Sequence, residues 1–401
     1  MKPIFWILAG AVLAVAVYLL LVPAASPEGP ESLPAQAALS PQEVAPAPTQ
    51  AIPEPGETMA ETLPAMPEED PLQTLLEGMT TEEKVGQLFL ARCPGDTALE
   101  DIATYHLGGY ILFGSDFDGQ TPERVRDTVS AWQEASPIPL LIAVDEEGGT
   151  VCRVSRVSSF RSTPFRSPRD YFAEGGMKAV LAAEVEKAIL LKGLGIQVNM
   201  GPVCDITTRK DSFMYRRSLG LGPVETAIFV TETVDILNIH QVGSVLKHFP
   251  GYGNNTDTHT GIARDSRPLE ELEDHDLIPF LAGIRAGCDA ILVSHAIAET
   301  FDKDTPATLS PAVHRYLRED MGFDGVIVTD DLKMQAITDL YGVEEAAVLA
   351  VLAGNDLLCA SDYRVQYPAV LEAVQSGRIP MELVDAAVLR ILRWKQSLGL
   401  L

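Results

Sequence analysis

Charged and imidazole side chains recur directly after short apolar runs of this sequence. They are Asp145, Asp205, Lys247, His248, His295, Asp330, Asp331 and Asp362. A single aspartate in such a place commonly caps the helix that follows, but helix capping does not account for six runs that end in this way. Carboxylates, imidazoles and amines that meet in one place can perform nucleophilic attack, general acid–base catalysis or the binding of a polar ligand.

Two acids, Asp330 and Asp331, stand side by side at the end of one of these runs. Side chains alternate between the two faces of a strand, so residues 326, 328 and 330 would share one face and residues 327, 329 and 331 the other. We therefore expect only one of the two carboxylates to point into a common site.

Eight apolar runs have the pattern of β-strands: residues 85–93, 108–114, 139–149, 195–206, 242–251, 289–297, 324–334 and 355–362. Nearly continuous apolar strands indicate burial on both faces, as in a parallel sheet. Stretches typical of helices lie between most of the runs, and Thr80 or Thr81 is expected to cap a helix just before the first.

Alternating strands and helices over residues 72–401 predict an α/β fold, a single (β/α)8 barrel. A doubly wound open sheet is the alternative, but no Gly-rich phosphate fingerprint follows an early strand. The carboxyl ends of barrel strands converge on one mouth, which would bring the charged residues together there.

The N-terminal part of the chain has a different composition. Residues 4–22 form one apolar run without a charge, long enough to cross a bilayer, so residues 1–22 are predicted to be a transmembrane anchor. A cleaved signal peptide is the alternative. Residues 23–71 contain twelve prolines and predict a disordered stalk. Lys2 places the N-terminus in the cytoplasm by the positive-inside rule, and so the barrel outside the cell.

The overall charge limits the classes of partner. The chain has 30 Lys and Arg against 56 Asp and Glu, a net charge of −26, which argues against nucleic-acid binding. Five cysteines in 401 residues form no CxxC pair and are expected to be buried. No metal-ligand set and no nucleotide motif stands out, so neither a metal nor a cofactor is expected, and the protein is expected to be a monomer.

Three segments together resemble glycoside hydrolase family 3, in particular its bacterial β-N-acetylglucosaminidase (β-N-acetylhexosaminidase) branch. The segments are VDEEGGTVCRV (144–154), KHFPGYGNNTDTH (247–259) and VTDDLKM (328–334). The resemblance covers roughly residues 72–399 and implies a retaining exo-enzyme that removes terminal β-linked GlcNAc, with peptidoglycan fragments as the expected source. A β-glucosidase or another β-hexosidase on the same barrel, or an inactive cell-wall-binding protein, are the alternatives.

The resemblance also implies the catalytic residues. It places the nucleophile at the first acid of the TDD motif, Asp330, which would form a covalent glycosyl intermediate. It implies that Asp257 and His259 form the acid/base dyad, in which the aspartate orients and stabilises the imidazole. Asp331 is expected to have a structural role.

The remaining motif residues correspond to substrate contacts of the family: Asp145, Arg153, Arg217, Lys247 and His248. A structural salt bridge is the alternative for each of them. Two residues depart from the family pattern, namely Tyr252, where a histidine is usual, and Thr150, where an arginine is frequent. Both departures are expected to affect the aglycone side of the pocket.

Overall fold

The computed structural model describes residues 70–253 and 262–401. The predicted anchor, and all but the last two residues of the predicted stalk, lie outside these ranges. Among the described residues, no helix combines the length and the apolar character needed to cross a membrane.

Eight parallel strands form the central sheet, in agreement with the predicted barrel. The strands of the described chain are β1 (Phe89–Arg92), β2 (Gly109–Leu112), β3 (Leu141–Val144), β4 (Glu146–Gly148), β5 (Val151–Cys152), β6 (Val198–Asn199), β7 (Gly243–Phe249), β8 (Arg264–Asp265), β9 (Ala290–Val293), β10 (Ile297–Ala298), β11 (Val326–Thr329) and β12 (Leu358–Ala360). The sheet order is β11-β9-β7-β6-β3-β2-β1-β12, so each predicted run contributes one strand to it.

The sheet curls into a nearly closed barrel. β12 pairs in parallel with β1, and a single parallel bridge, Val328–Leu357, joins the two ends of the sheet. Around this joint, the Thr329 amide donates to the Leu357 carbonyl over 3.0 Å. The last barrel strand along the chain therefore pairs with the first, as the (β/α)8 prediction requires.

Helices alternate with the barrel strands along the chain, and the first two helices precede β1. They are α1 (Pro71–Gly78), α2 (Thr81–Gln87), α3 (Ala98–Tyr105), α4 (Pro122–Ala135), α5 (Pro168–Gly193), α6 (Pro223–Ile239), α7 (Leu269–Glu273), α8 (Leu277–Arg285), α9 (Pro311–Arg315), α10 (Gln335–Tyr341), α11 (Val343–Ala353), α12 (Tyr363–Gln375) and α13 (Met381–Ser397). α5 is interrupted by non-helical backbone at Gly175 and Gly176.

Local sequence signals begin several helices. Thr80 caps α2 in a reciprocal capping box: its hydroxyl accepts from the Glu83 amide, and its own amide donates to the Glu83 carboxylate. Thr121 caps α4 by accepting from the Arg124 amide. Each contact satisfies a backbone donor that the first turn of a helix leaves without a partner.

The barrel strands are buried on both faces, which explains their continuous apolar runs. Every residue of β2, β3, β7, β9 and β11 is buried. Two short extra sheets lie beyond the barrel: an antiparallel pair of β4 and β5, and a parallel pair of β8 and β10. The sequence patterns did not predict either pair, because strands of two or three residues have no periodicity to detect.

Candidate active site

A cavity of about 370 Å³ opens at the carboxyl ends of the barrel strands. Ile111, Phe113, Asp145, Val151, Arg153, Met200, Arg217, Lys247, His248, Tyr252, Leu292, Asp330, Asp331, Met334 and Cys359 line it. The size is in the range of small-molecule sites. All six site residues that were predicted from the sequence and fall in the described ranges thus lie on one cavity. Asp257 and His259, the predicted dyad, lie outside the described residues.

A compact ion cluster forms one wall of the cavity. The Lys247 ammonium lies 2.6 Å from Asp145 Oδ1 and 2.6 Å from Glu147 Oε1. The Arg217 guanidinium grips Glu147 through two bonds, Nε to Oε2 at 2.9 Å and Nη2 to Oε1 at 2.7 Å. Two cations and two carboxylates therefore hold one another within hydrogen-bond distance.

The charges of this cluster are mutually stabilised. Burial by itself would raise the pKa of Glu147, but Arg217 and Lys247 hold that pKa well below its usual range. Burial would likewise lower the pKa of Lys247, and the carboxylates of Asp145 and Glu147 more than offset this, so the pKa is raised. Glu147 and Lys247 are therefore ionised at neutral pH despite their burial.

His248 is oriented by a buried carboxylate. Asp205 Oδ2 lies 2.8 Å from His248 Nδ1 and also accepts from the His248 backbone amide. Asp205 Oδ1 accepts from the Tyr252 amide. On the other side of the ring, His248 Nε2 lies 3.0 Å from Arg217 Nη2, which can only donate. This pattern favours the tautomer that carries its proton on Nδ1, with Nε2 as an acceptor.

Arg153 approaches the cluster from a neighbouring segment. Its guanidinium lies 3.9 Å from Asp145 Oδ2 and packs over the ring of Phe113 at 5.6 Å. The backbone around it is fixed by the buried Glu146 carboxylate, which accepts from the amides of Arg153 and Val154. The short sheet of β4 and β5 thus places Arg153 at the rim of the cavity.

The paired acids at the end of β11 have different surroundings. Asp331 Oδ1 accepts from the amides of Lys333 and Ser361, and Oδ2 contacts the Ser361 hydroxyl. Asp330 Oδ1 accepts from the Asp331 amide over 2.9 Å. The Asp331 contacts agree with the structural role expected of that residue.

Both acids contribute to the cavity wall, although strand alternation predicted that only one carboxylate would point into the site. β11 ends at Thr329, so Asp330 and Asp331 stand beyond the last residue of the strand. Strict alternation of side chains requires strand geometry and does not extend to these two residues.

Three of the charged strand-end residues do not line the cavity: Asp205, which contacts His248, and also His295 and Asp362. His295 is fully buried, and its Nε2 lies 3.0 Å from the Asp331 carbonyl oxygen. Asp362 forms a salt bridge with the exposed Lys333. Not every charged strand end therefore contributes to the cavity at the mouth of the barrel.

Sequence reasoning missed Glu147, the central carboxylate of the ion cluster. The signal was present in the run Asp145-Glu146-Glu147, where alternation separates the middle acid from its neighbours. The structure follows this separation: Glu146 supports the backbone of residues 153–155, whereas Asp145 and Glu147 both reach Lys247. The sequence did not show that the partners of Glu147 would come from distant segments.

The two departures from the family pattern lie in different surroundings. Tyr252 is buried in the cavity wall, where its ring packs against Phe213 at 4.9 Å and against His248 at 5.2 Å. Thr150 is exposed in the turn between β4 and β5. Tyr252 is thus placed to shape the cavity, whereas Thr150 does not line it. The expected effect of both residues on the aglycone side stays a prediction.

Cys359 is the cysteine of the cavity wall. Burial, together with the carboxylates of Asp331 and Asp330, raises its thiol pKa well above the ordinary value. The thiol is therefore protonated at neutral pH and unsuited to act as a nucleophile. In the described part of the chain, no group of three or more His, Cys, Asp or Glu side chains could hold a metal ion.

Comparison with known sequences identifies the domain type. The profile of the glycosyl hydrolase family 3 N-terminal domain matches residues 80–394. The chain is 32% identical over 335 residues to beta-hexosaminidase LpqI of Mycobacterium tuberculosis, covering 79% of this chain and 83% of LpqI. It is 32% identical over 279 residues to a beta-hexosaminidase of Xanthomonas oryzae pv. oryzae, covering 68% and 81% of the two chains.

Solved structures give the same picture. A glycoside hydrolase family 3 beta-N-acetylglucosaminidase from Paenibacillus sp. str. FPU-7 superposes with a TM-score of 0.75 at 34% identity, covering 80% of this chain and 63% of that one. M. tuberculosis LpqI superposes with a TM-score of 0.72 at 29% identity, covering 81% and 96%.

Proposed function

The chain belongs to glycosyl hydrolase family 3, whose members cleave O-glycosyl bonds, and from this premise we propose that it is a retaining exo-β-N-acetylglucosaminidase. The proposed substrate is a glycan that ends in β-linked GlcNAc. Two relatives named beta-hexosaminidase and a family structure named beta-N-acetylglucosaminidase support this assignment.

The observation that carries the proposal is the common location of the predicted site residues. Asp145, Arg153, Arg217, Lys247 and His248 line one cavity with Asp330, although more than 180 residues separate the first from the last. Fixed donors and acceptors on one wall suit a ligand rich in hydroxyl groups, since each hydroxyl can both donate and accept.

The proposed reaction has two displacements. The Asp330 carboxylate attacks the anomeric carbon as the glycosidic bond breaks, and a covalent glycosyl-aspartate forms. Water then attacks the same carbon from the opposite side and releases GlcNAc with retained configuration. Both transition states resemble an oxocarbenium ion, which a nearby carboxylate stabilises.

We assign the acid/base role to His259, supported by Asp257, on the basis of the sequence motif. Two other carboxylates of the cavity wall, Asp145 and Asp331, support this assignment because each is held by neighbouring residues. Asp145 pairs with Lys247, and Asp331 accepts hydrogen bonds from Ser361 and Lys333. Neither is thus well suited to carry the proton that the leaving oxygen needs.

A panel of 4-nitrophenyl glycosides tests the proposal on the full chain purified in detergent. We expect hydrolysis of the β-GlcNAc substrate with a kcat/KM at least about tenfold above that of the β-glucoside, and NMR should detect the β-anomer first. Preference for the β-glucoside would favour the alternative hexosidase. Absence of turnover on every glycoside would favour the inactive wall-binding protein, and first release of the α-anomer would contradict retention.

We also propose that the enzyme acts outside the cell on peptidoglycan fragments, tethered through residues 1–22. The apolar run and the proline-rich segment that follows it support this location. Fractionation of the source cells should place the chain in the membrane, and protease added outside intact cells should release the catalytic domain. Recovery of the chain in the cytoplasm would contradict the tether.

A further inference from the structure

We propose that Glu147 is a positioning residue that aims Lys247 and Arg217 at the sugar and thereby sets how tightly the sugar hydroxyls are held. The inference rests on the proposed function in one respect: Lys247 and Arg217 are taken to contact the sugar. The role of Glu147 was not among those implied by the sequence motifs.

The carboxylate of Glu147 is saturated by cationic donors. It accepts from Lys247 Nζ at 2.6 Å and from Arg217 Nε and Nη2 at 2.9 and 2.7 Å. Its side chain is only 2% exposed, as is that of Lys247. A carboxylate that accepts three hydrogen bonds from two neighbouring cations has little acceptor capacity left for a ligand.

Glu147 stands behind the cavity wall rather than on it. Its two partners line the catalytic cavity, whereas Glu147 does not and instead lines a separate void of about 10 Å³ together with Arg217. It therefore acts on a bound sugar through Lys247 and Arg217 and not by direct contact.

The two cations need such an anchor because their side chains are long. Lys247 has a flexible four-carbon stem, and Arg217 presents a planar fork that a carboxylate can fix through two bonds. Arg217 also reaches His248 Nε2 through Nη2. Holding Arg217 in place thus orients a third residue of the site.

Contacts with buried residues and a tight turn fix the backbone of Glu147. The Glu147 carbonyl accepts from the buried Lys187 ammonium at 2.6 Å, and Lys187 pairs with the buried Glu184 at 2.7 Å. The next residue, Gly148, has φ +100°, and a Cβ there would lie 2.2 Å from the Arg166 carbonyl oxygen. Only glycine fits this turn, which presents Glu147 at a fixed position to the two cations.

The test is Glu147→Gln in the full chain, assayed with 4-nitrophenyl β-GlcNAc and with analogues that each lack one hydroxyl of the sugar ring. We expect kcat/KM to fall roughly 10- to 100-fold, because two charge-assisted contacts are weakened. Removing a sugar hydroxyl should lower the kcat/KM of the wild type, and for at least one hydroxyl this loss, the hydroxyl-deletion penalty, should be severalfold smaller in the variant. The reason is that Lys247 and Arg217 no longer point at that hydroxyl. A defect of folding alone would leave that penalty unchanged.

Asp356→Asn is the matched control. Asp356 is also a buried carboxylate that bridges two cations, Arg318 at 2.5 Å and Arg390 at 2.9 Å, but it precedes β12 at the opposite end of the barrel. This variant should lose stability and keep the hydroxyl-deletion penalties of the wild type. If Glu147→Gln does not fold, Glu147→Asp takes its place. This variant keeps the charge but is one methylene too short to reach both cations, and it is tested with the same measurements of kcat/KM and of hydroxyl deletion.

Two results would overturn the inference: a kcat/KM within about threefold of wild type, or a loss of activity with unchanged hydroxyl-deletion penalties. Failure of the proposed function is separate from both, because it would show in the wild type. If the wild type prefers another glycoside, the deletion series is made on that glycoside.

Discussion

Asparagine substitutions at Asp330 and Asp331 separate chemistry from structure at the end of β11. The two carboxylates are adjacent and both line the cavity, so a general change of local charge affects them alike. Their predicted roles differ, because only Asp330 is assigned a bond to the anomeric carbon.

The structure gives the size of the effect at Asp331. Its Oδ1 accepts from the Lys333 amide at 3.0 Å and from the Ser361 amide at 3.2 Å, and an asparagine keeps both. Only the contact between Oδ2 and the Ser361 hydroxyl must reverse its donor. We therefore expect Asp331→Asn to lose about 1 to 2 kcal/mol of unfolding free energy, a fall in Tm of about 2 to 4 °C, and less than about tenfold in kcat/KM.

Asp330→Asn should fold normally and lose about 10⁴-fold in kcat, or about 5.4 kcal/mol of transition-state stabilisation, because an amide does not form the glycosyl intermediate. Steady-state kinetics on an aryl β-GlcNAc and thermal unfolding measure both variants. Asp330→Gly supplemented with azide should recover turnover and give the α-glycosyl azide. Asp330→Asn with more than about 1% of wild-type activity, or a folded Asp331→Asn with an equally deep loss, would refute the division of roles.

Three further predictions concern other parts of the molecule. His259→Ala and Asp257→Asn should both slow the cleavage of poor leaving groups far more than the cleavage of activated phenolates. A plot of kcat/KM against the pKa of the leaving group should therefore be steeper for the variants than for the wild type, and parallel plots would reject the dyad. Asp205→Asn should raise KM about tenfold, because His248 loses the carboxylate that fixes its Nδ1–H tautomer, and an unchanged KM would argue against that orientation. Burial lowers the pKa of Lys395 in the folded chain to about 7. Between this pH and the ordinary lysine pKa of the unfolded chain, the unfolded chain binds more protons than the folded one. The unfolding free energy therefore rises with pH in this range. From about pH 7 to pH 9 this rise is about 2 to 3 kcal/mol, and it should be absent in urea titrations of Lys395→Met.

The barrel was predictable because each of its strands is one continuous segment of the sequence whose apolar composition reflects its burial. Strands that are covered by helices outside and by other strands' side chains inside must be apolar at every position. Leu141–Val144 and Ala290–Val293 meet this condition, and each is fully buried. The polar residue that follows such a run marks the point where the strand leaves the core.

The partners within the site were much less predictable, because they depend on contacts between distant segments. Arg217 lies 70 residues from Glu147, and Lys247 lies 102 residues from Asp145, in the pairs that define the cluster. Alternation within the Asp145-Glu146-Glu147 run separates Glu146 from its two neighbours, but it does not tell which side supports the backbone and which side holds the cations. Likewise, the end of β11 at Thr329 decides the orientation of Asp330 and Asp331, and sequence patterns locate strand ends poorly.

The pairing of every cation in the cluster has a consequence for catalysis. An oxocarbenium-like transition state gains positive charge at the sugar, and unopposed ammonium or guanidinium groups nearby would raise its energy. Lys247 is balanced by Asp145 and Glu147, and Arg217 by Glu147. Each cation can therefore donate hydrogen bonds to a neutral sugar while its field at the anomeric carbon is largely cancelled. Removing Glu147 would leave Arg217 without its carboxylate and Lys247 with Asp145 alone. If the proposed function holds, the binding of the sugar and the stabilisation of the transition state would then both depend on Glu147.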